Sequence, residues 1–525
     1  MAHRIGTDRN QLLLLPPSLD EFIGEDNPVK VIDVFVGSLD LNKTGFKNSI
    51  PVEKGCPPYN PADLLKLYLY GYLNRIRSSR KLEKECTRNI EVIWLLNQLR
   101  PKYRTIAYFR AHNLKTIKSV FRQFVVMMKK WDLIAGDLLA VDGSKFRAVN
   151  SKKNNYNQQK IQRHLNYIDQ KADEYLKELD ENDHKEQGER KLKVKECLRQ
   201  LEQRRQKYLD LERQLRETGQ DQVSTTDLDA RQLLIRGDIA EVAYNAQTTV
   251  DSKHNLVIDT KVINTTDRKI LSIMGLQAKE ILNKESFDLL ADKGYHNGEE
   301  LQKCDLMNIK TYVAPQENIS GNKIPTPEYQ GDKFRYNSQD DCYTCPEGQT
   351  LKSNGRWYKK FYRTHITLVK QYKTKACREC PKRCCCTSSP IERGRLIERS
   401  QYQDSVDANN LRVRNEKEKY RLRQTMAEHP FGVVKRQWGY DHVMLKGLQK
   451  TDSEISLIFL CYNMKRVMNI MGIKGILNAI KAFSQCFSPF LTRFSHIFTV
   501  YTSYNFQLNP ISQKRVFIIQ GSRIK

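Results

Sequence analysis

The 525-residue sequence lacks any long apolar run. Its opening stretch, MAHRIGTDRNQLLLLPPSLDEF, holds only four consecutive leucines closed by Pro16 and Pro17, well short of a signal-peptide core, so export is not expected. Ile455 to Tyr462 is soon followed by Lys465 and Arg466, and Phe483 to Tyr501 carries Ser, Gln, Arg, His and Pro. Neither reaches the roughly 18 uninterrupted apolar residues of a membrane span, which excludes a membrane partner and leaves a cytoplasmic protein as the expectation. Acidic charge is also scarce: 61 Asp and Glu face 88 Lys and Arg, for a net charge of +27, and no acidic residue follows Glu454. That deficit points to a polyanionic partner, because every phosphate neutralised by a basic side chain releases a condensed counterion. Without a secretion signal, 13 cysteines do not argue for a disulfide framework. Seven of them fall between Cys342 and Cys386, and that clustering points to metal.

The length allows two to four domains, and 39% hydrophobic residues suffice for their cores. Residues 1–130 read as an all-helical domain, with Leu64, Leu65, Tyr68 and Tyr72 of PADLLKLYLYGYL on one broad face and basic segments such as SSRKLEKE and FRAHNLKTIK on its surface. Such a module would either track DNA phosphates or serve only for packing. Residues 131–154 contain DLLAVDGSKFRA, an apolar run that ends on Asp142. Over 155–222 the composition changes to Gln, Glu, Lys and Leu, with Ile161, Leu165, Ile168, Ala172, Tyr175 and Leu179 in alternating steps of four and three, which predicts a helical hairpin of coiled-coil type. In 223–316, EVAYNAQTTVDSKHNLVIDTKVIN reads as two strands turning at Asp251 to Asn255, then a helix from about 269 to 283, then Phe287 to Ala291 as a strand ending on Asp292. Residues 317–400 are Cys-rich and turn-rich, 401–482 return to helices that close the core, and 483–525 form a basic tail. Glu428 lies in or at the end of a basic helix, where Pro430 disfavours continuation.

Two buried strands that end in Asp142 and Asp292, each followed closely by a glycine, and a helix-borne Glu428 suit an α/β, RNase H-like core, a mixed sheet flanked by helices. Carboxylates brought together repel unless cations neutralise them. Magnesium takes one or two carboxylates, keeps waters and completes its shell with phosphate oxygens. Two such ions about 4 Å apart would stabilise the attacking and leaving oxygens of a phosphodiester displacement.

The segments YNPADLLKLYLYGYLNRIRSSRKLEKE, TIAYFR, VDGSKFRA, TTDLDAR, AYNAQTTVDSKHNLV, ADKGYHN and EHPFGVVKRQWG resemble, in that order and over roughly residues 25 to 475, the DDE transposases of bacterial insertion sequences that carry an N-terminal helical domain and a cysteine-bearing insert. The resemblance implies a catalytic, metal-binding triad of Asp142, Asp292 and Glu428 holding two Mg²⁺, with Mn²⁺ as a substitute. It also implies that Tyr420, Arg423, Lys435 and Arg436 bind DNA, the partners being the element's terminal inverted repeats and target DNA. A homodimer follows from the need to handle two element ends, and a nucleoid-associated protein from the partner. Four residues separate Arg423 from Glu428 where about six are usual, so Arg421 is the substitute; Lys102 and Leu228 are further departures. His296 is expected at a helix start on the surface and not as a general base. A binding-only relative and an RNase H-type nuclease that cuts without joining are the competing functions.

Cys342-x2-Cys345 and Cys377-x2-Cys380 are two chelating pairs that would make a structural Zn²⁺ site in a zinc-ribbon-like insert too small for a core. The run Cys384 to Cys386 offers substitute ligands, and reduced free thiols are the alternative.

Overall fold

The computed structural model describes residues 18–50, 57–183, 188–236, 239–315, 324–362 and 366–486. Most of the basic tail, and the four-leucine run, lie outside them. The chain divides into two units, one made of residues 1–133, 147–230 and 433–525 and the other of 134–146 and 231–432. Among the described residues no helix is long and apolar enough to cross a membrane.

The first unit is helical. Two of its helices start on the same Asn-Pro signal. Asn27 accepts from the Val29 N–H ahead of α1 (Pro28–Gly37), and Asn60 accepts from the Ala62 N–H ahead of α2 (Pro61–Leu73), each at 2.9 Å. Proline at the first helical position has no N–H to leave unsatisfied. The sequence assigns α2 one apolar face, but the helix is buried almost all round, at Leu64, Leu65, Leu67, Tyr68, Leu69, Tyr70 and Tyr72. Its second cover is the C-terminal helix (Leu448–Cys486), which is broken at Gly472. That helix also packs on α1 and on α4 (Leu114–Lys130), which follows α3 (Tyr103–His112). The end of the chain expected to close the catalytic core is therefore divided, with everything from Val433 onward grouped with the N-terminal helices.

A buried polar knot fixes this arrangement. Glu454, with no exposed surface, accepts from the Met444 and Leu445 N–H groups at 2.9 and 3.0 Å and faces Arg77 at 3.6 Å. Arg110 donates to the Tyr72 hydroxyl at 3.0 Å and is itself buried, so this arginine of FRAHNLKTIK is not the surface cation the sequence suggests. The segment TTDLDAR also has a structural role: Asp227 and Asp229 accept from the Gly447 and Leu448 N–H groups at 3.0 and 2.8 Å and cap the C-terminal helix. The expected hairpin is present as α5 (Gln158–Asp183) and α6 (Gly188–Thr218), joined through Ile161, Leu165, Ile168, Leu201, Tyr208, Leu211 and Leu215. It belongs to this helical unit.

The second unit is built on a mixed sheet. Its strands are β1 (Leu138–Arg147), β2 (Arg231–Arg236), β3 (Ile239–Asp251), β4 (Val257–Ile263), β5 (Phe287–Ala291) and β6 (Ile309–Val313), in the order β2-β3-β1-β5-β6 with β4 also paired to β3. β3 runs antiparallel to β2 and β4, whereas β1, β5 and β6 are parallel. An antiparallel meander whose first strand is continued by two parallel strands is an RNase H-like arrangement. α7 (Leu271–Leu282), α8 (Gly298–Leu306), α9 (Gln403–Asn415) and α10 (Lys417–Gly432) complete it. The fully buried Asn409 of α9 pairs its amide with both backbone groups of Val313, at 2.8 and 2.9 Å, and so satisfies the end of β6. α10 does not stop at Pro430 as expected. It runs on to Gly432, and a wider π turn, with the Trp438 N–H bonded to the Val433 carbonyl, follows at Val433–Gln437.

The cysteine-rich insert is an antiparallel meander, β7 (Arg335–Asn337), β8 (Cys342–Thr344), β9 (Thr350–Phe361), β10 (Ile366–Lys373) and β11 (Ile397–Ser400) in sequential order. It does have a core, contrary to expectation: Phe334, Tyr343, Leu351, Tyr372 and Ile397 pack together. The buried Arg399 bonds the Tyr343 hydroxyl at 3.0 Å and stacks 3.7 Å above the Tyr336 ring.

Candidate active site

Asp142 and Asp292 arise from the same local device. Each follows a run of fully buried residues, Leu139, Ala140 and Val141 in β1 and Leu289, Leu290 and Ala291 in β5. The two strands are adjacent and parallel, with Leu138 paired to Asp288 and Ala140 to Leu290. The constant offset, 288 − 138 = 150, brings Asp142 level with Asp292, which follows the last residue of β5; β1 does not end on Asp142 as expected but continues to Arg147. Each carboxylate then folds back onto a glycine: the Gly143 N–H donates to Asp142 Oδ1, and the Gly294 N–H to Asp292 Oδ1, both at 2.8 Å. Among the described residues, neither Oδ2 has a hydrogen-bond partner.

A third aspartate, absent from the sequence reading, completes the cluster. Asp267 Oδ1 accepts from the Asn245 and Gln247 amides at 2.7 and 2.8 Å, and Oδ2 faces Lys145 Nζ at 3.3 Å. Asn245 and Gln247 are two apart on β3, so they share a face, and both are fully buried. The Tyr295 hydroxyl donates a short hydrogen bond to Gln247 Oε1. Buried amides at alternate positions of AYNAQTTV were the available signal, since a strand interior carries such groups only where they have partners. Asp267 itself follows β4 after a short turn and so does not look like a strand-end carboxylate.

Both glycines are required by close approach. A Cβ on Gly143 would stand 2.8 Å from Asp267 Oδ1 and from Asn245 Oδ1, and one on Gly294 2.9 Å from Asp292 Oδ1. Charge is correspondingly concentrated. Burial, with the nearby charges of Asp292 and Asp267, pushes the Asp142 carboxyl up to about 6, against the opposing pull of the Gly143 N–H and Arg423. Burial, then the same three carboxylates, also hold the Tyr295 hydroxyl protonated, well above its ordinary range.

α10 carries the remaining candidates. Its start is tied to the sheet by Lys419, which contacts Asp288 at 2.7 Å and the Tyr312 hydroxyl at 3.1 Å. Further on, Met426 and Ala427 pack against Ala140 and Leu290, two residues before Asp142 and Asp292. Glu428 comes next, exposed and without a polar partner among the described residues. Along the helix it lies ~13.5 Å beyond Lys419, and along β5 Asp292 lies ~13 Å beyond Asp288. Arg423 acts on Asp142, while Arg421 pairs with Glu418 at 2.6 Å on the surface. Tyr420 packs against the Ala140 cluster. Lys435 and Arg436 fall in the helical unit. His296 is half-buried instead of on the surface, 3.3 Å from the Asn410 side chain, and burial lowers its pKa so that it is neutral near pH 7.

No three His, Cys, Asp or Glu side chains among the described residues are already arranged to hold a metal ion. Asp142 and Asp292 nevertheless fit a magnesium ion: oxygen donors, one free carboxylate oxygen each, and a shell that waters can complete.

Comparison with known proteins bears on what this cluster belongs to. Residues 344–468, which include Glu428, match the model of the transposase DDE domain, and residues 17–112 match that of the transposase domain (DUF772). Asp142 and Asp292 lie outside both stretches. No curated protein matches. Among solved structures, the piggyBac transposase synaptic complex with hairpin DNA, determined by cryo-EM, aligns over 90% of this chain and 84% of that one at 8% identity, with a TM-score of 0.31, too low to support any argument. Two separate transposase models thus match two separate parts of one sequence, and together they support a DDE transposase of the insertion-sequence type.

Proposed function

We propose that the protein binds the terminal inverted repeats of its element, cleaves DNA at their ends and joins the freed 3′ hydroxyls to target DNA. The observation that carries this is that adjacent parallel strands bring Asp142, within β1, level with Asp292, just past β5, with one oxygen of each fixed by a glycine N–H and the other open. In this reading Asp142, Asp292 and Glu428 form the triad and hold Mg²⁺, or Mn²⁺ in its place. When bound, two such ions would stabilise charge on the attacking and leaving oxygens of the phosphodiester.

The chain's own groups do the rest. Gly143 and Gly294 hold the aspartates in one orientation, and Asp267 bonded to Asn245 and Gln247 ties the turn after β4 to β3. Arg423 offers a cation beside the carboxylates that suits a DNA phosphate. Lys435 and Arg436 are the further phosphate contacts, and Tyr420 braces the helix that carries Glu428. The net charge of +27 supports a DNA partner. A dimer is the expected active form, because two ends are processed together, acting on the nucleoid in the cytoplasm.

The test is a linear DNA carrying both segments that flank the coding region, incubated with purified protein in Mg²⁺. Cleavage at both ends and joined products are expected, with Asp142→Ala, Asp292→Ala and Glu428→Ala binding the DNA but producing neither. Binding without cleavage by the wild type would make it a binding-only relative. Cleavage without joined product would make it a nuclease.

A further inference from the structure

The cysteines of the insert are arranged differently from their spacing. Cys342 and Cys345 are three residues apart along an extended segment, and with a side-chain period of two such a pair points to opposite faces. Cys342, paired between Asn337 and Lys352, is buried in the sheet. Cys345 turns instead into a cavity of about 30 Å³, and Cys377, Cys380 and Cys386 line the same cavity. They come from three segments: the turn after β8, the 3-10 turn at Lys375–Arg378 with its end, and the short helical turn Arg383–Cys386. Cys384 and Cys385 do not line it; their sulfurs contact each other at 3.9 Å.

The cavity wall is prepared for negative sulfur. The chain turns sharply after Cys345, with the Gly348 N–H on the Cys345 carbonyl at 2.9 Å and Gly348 at φ +78°. That turn aims the Gln349 N–H at Cys345 Sγ, 3.3 Å away, a bond that favours the thiolate. Two arginines, Arg383 and Arg395, also line the cavity, and the Nε of each is buried without a hydrogen-bond partner. Orphaned buried donors of this kind are costly and need an explanation, and an anionic cluster supplies one. Gly394, at φ +62°, makes room for Cys377, since a Cβ there would stand 2.8 Å from that residue's own Cβ.

We propose that Cys345, Cys377, Cys380 and Cys386 together bind one structural zinc ion, with Cys342 outside the site. The thiols are not in metal-binding geometry as they stand, so they would close around the ion within the cavity they line. Four thiolates give tetrahedral Zn–S bonds of ~2.3 Å and leave no open position, which makes the site structural. The excess negative charge of a four-thiolate zinc centre would be balanced by the two arginines.

The test uses the full chain. Purified from zinc-replete cells, it should hold one zinc per chain, released only when a mercurial blocks the thiols, and cobalt(II) exchanged into it should show the charge-transfer spectrum of a tetrathiolate. Cys342→Ser should keep both the metal and that spectrum, and Cys386→Ser should lose the metal. Because Cys386→Ser could also fail to fold, Cys386→His is the second variant: it should retain metal, with a cobalt spectrum shifted to a mixed sulfur and nitrogen shell. A wild type that binds neither zinc nor cobalt would overturn the proposal. So would loss of metal in Cys342→Ser with retention in Cys386→Ser, or an unshifted cobalt spectrum in Cys386→His.

Discussion

Replacing Asp142 by Asn should make the metal-free protein more stable while removing its activity. The carboxyl sits at about 6 in the folded chain against an ordinary 3.8, a difference of about 2.2. At 1.36 kcal/mol per pKa unit this corresponds to ~3 kcal/mol of penalty for carrying the charge at neutral pH. Asp142 keeps some solvent contact, which screens part of that, so a gain of ~1–3 kcal/mol is the reasonable range for the variant. The sign follows from proton uptake. Between pH 3.8 and about 6 the folded state binds more protons than the unfolded one, so wild-type stability falls as pH rises through that window and stays lowered above it. Near pH 4 the carboxyl is largely protonated in the folded chain and the variant should gain little. The assay is denaturation in EDTA at pH 4 and pH 7.5, followed by hydrogen exchange in the peptides that cover β1 and β5. Mg²⁺ at pH 7.5 should then stabilise the wild type more than the variant. No gain at pH 7.5, or the same gain at both pH values, would refute the reasoning, since the carboxylate would then carry no burial cost.

Gly143→Ala should leave the protein folded but inactive, because the added methyl meets Asp267 and Asn245 at 2.8 Å; an overpacking cost of ~1–3 kcal/mol in a thermal melt, together with lost DNA cleavage, is the expected result. Asp267→Asn removes the charged acceptor of two buried amides and the partner of Lys145, for a loss of ~1–3 kcal/mol in the same melt. It also removes a like charge from the neighbourhood of Asp142, so the acid limb of the cleavage-pH profile should move to lower pH. Glu454→Ala removes the buried counter-charge of Arg77 and the acceptor of the Met444 and Leu445 N–H groups and should cost ~3–5 kcal/mol in denaturation of the helical unit.

The positions of Asp142 and Asp292 after apolar runs were legible because Leu139 to Val141 and Leu289 to Ala291 are fully buried, as in a parallel sheet covered on both faces; that β1 continues past Asp142 to Arg147 was not. Asp267 was not legible, because its role depends on Asn245 and Gln247, about twenty residues upstream, whose burial is a tertiary fact. The helical unit misled for a related reason. The pattern of α2 marks it as apolar on one side, but nothing in that segment says that a helix from the far end of the chain covers the other. TTDLDAR shows the same limit from the other side, since it has the look of a functional motif and caps a helix more than two hundred residues away. The cysteine spacing alone says little: Cys342 and Cys345 lie along an extended segment with no turn between them, so their side chains point to opposite faces.

The two glycine contacts bear on how the open carboxylate oxygens are kept available. A lone aspartate at a strand end would be free to rotate or to cap the next helix with both oxygens. Here Gly143 and Gly294 each take one oxygen through a backbone N–H, and the other is left facing away from that bond. Because the donors are backbone groups, Gly143 on β1 and Gly294 in the 3-10 turn just after β5, and the two strands are held in register from Leu138 to Ala140, the placing of the two carboxylates is governed by the backbone more than by side-chain rotamers. Glu428 has no such restraint. Its helix is anchored at Lys419 and packed through Met426 and Ala427, but its own side chain is exposed and unpaired among the described residues. Binding of metal and DNA would therefore order a site in which the two aspartates are fixed beforehand and the glutamate moves to meet them. Glu428→Asp, one methylene shorter, should then lose far more activity than metal affinity.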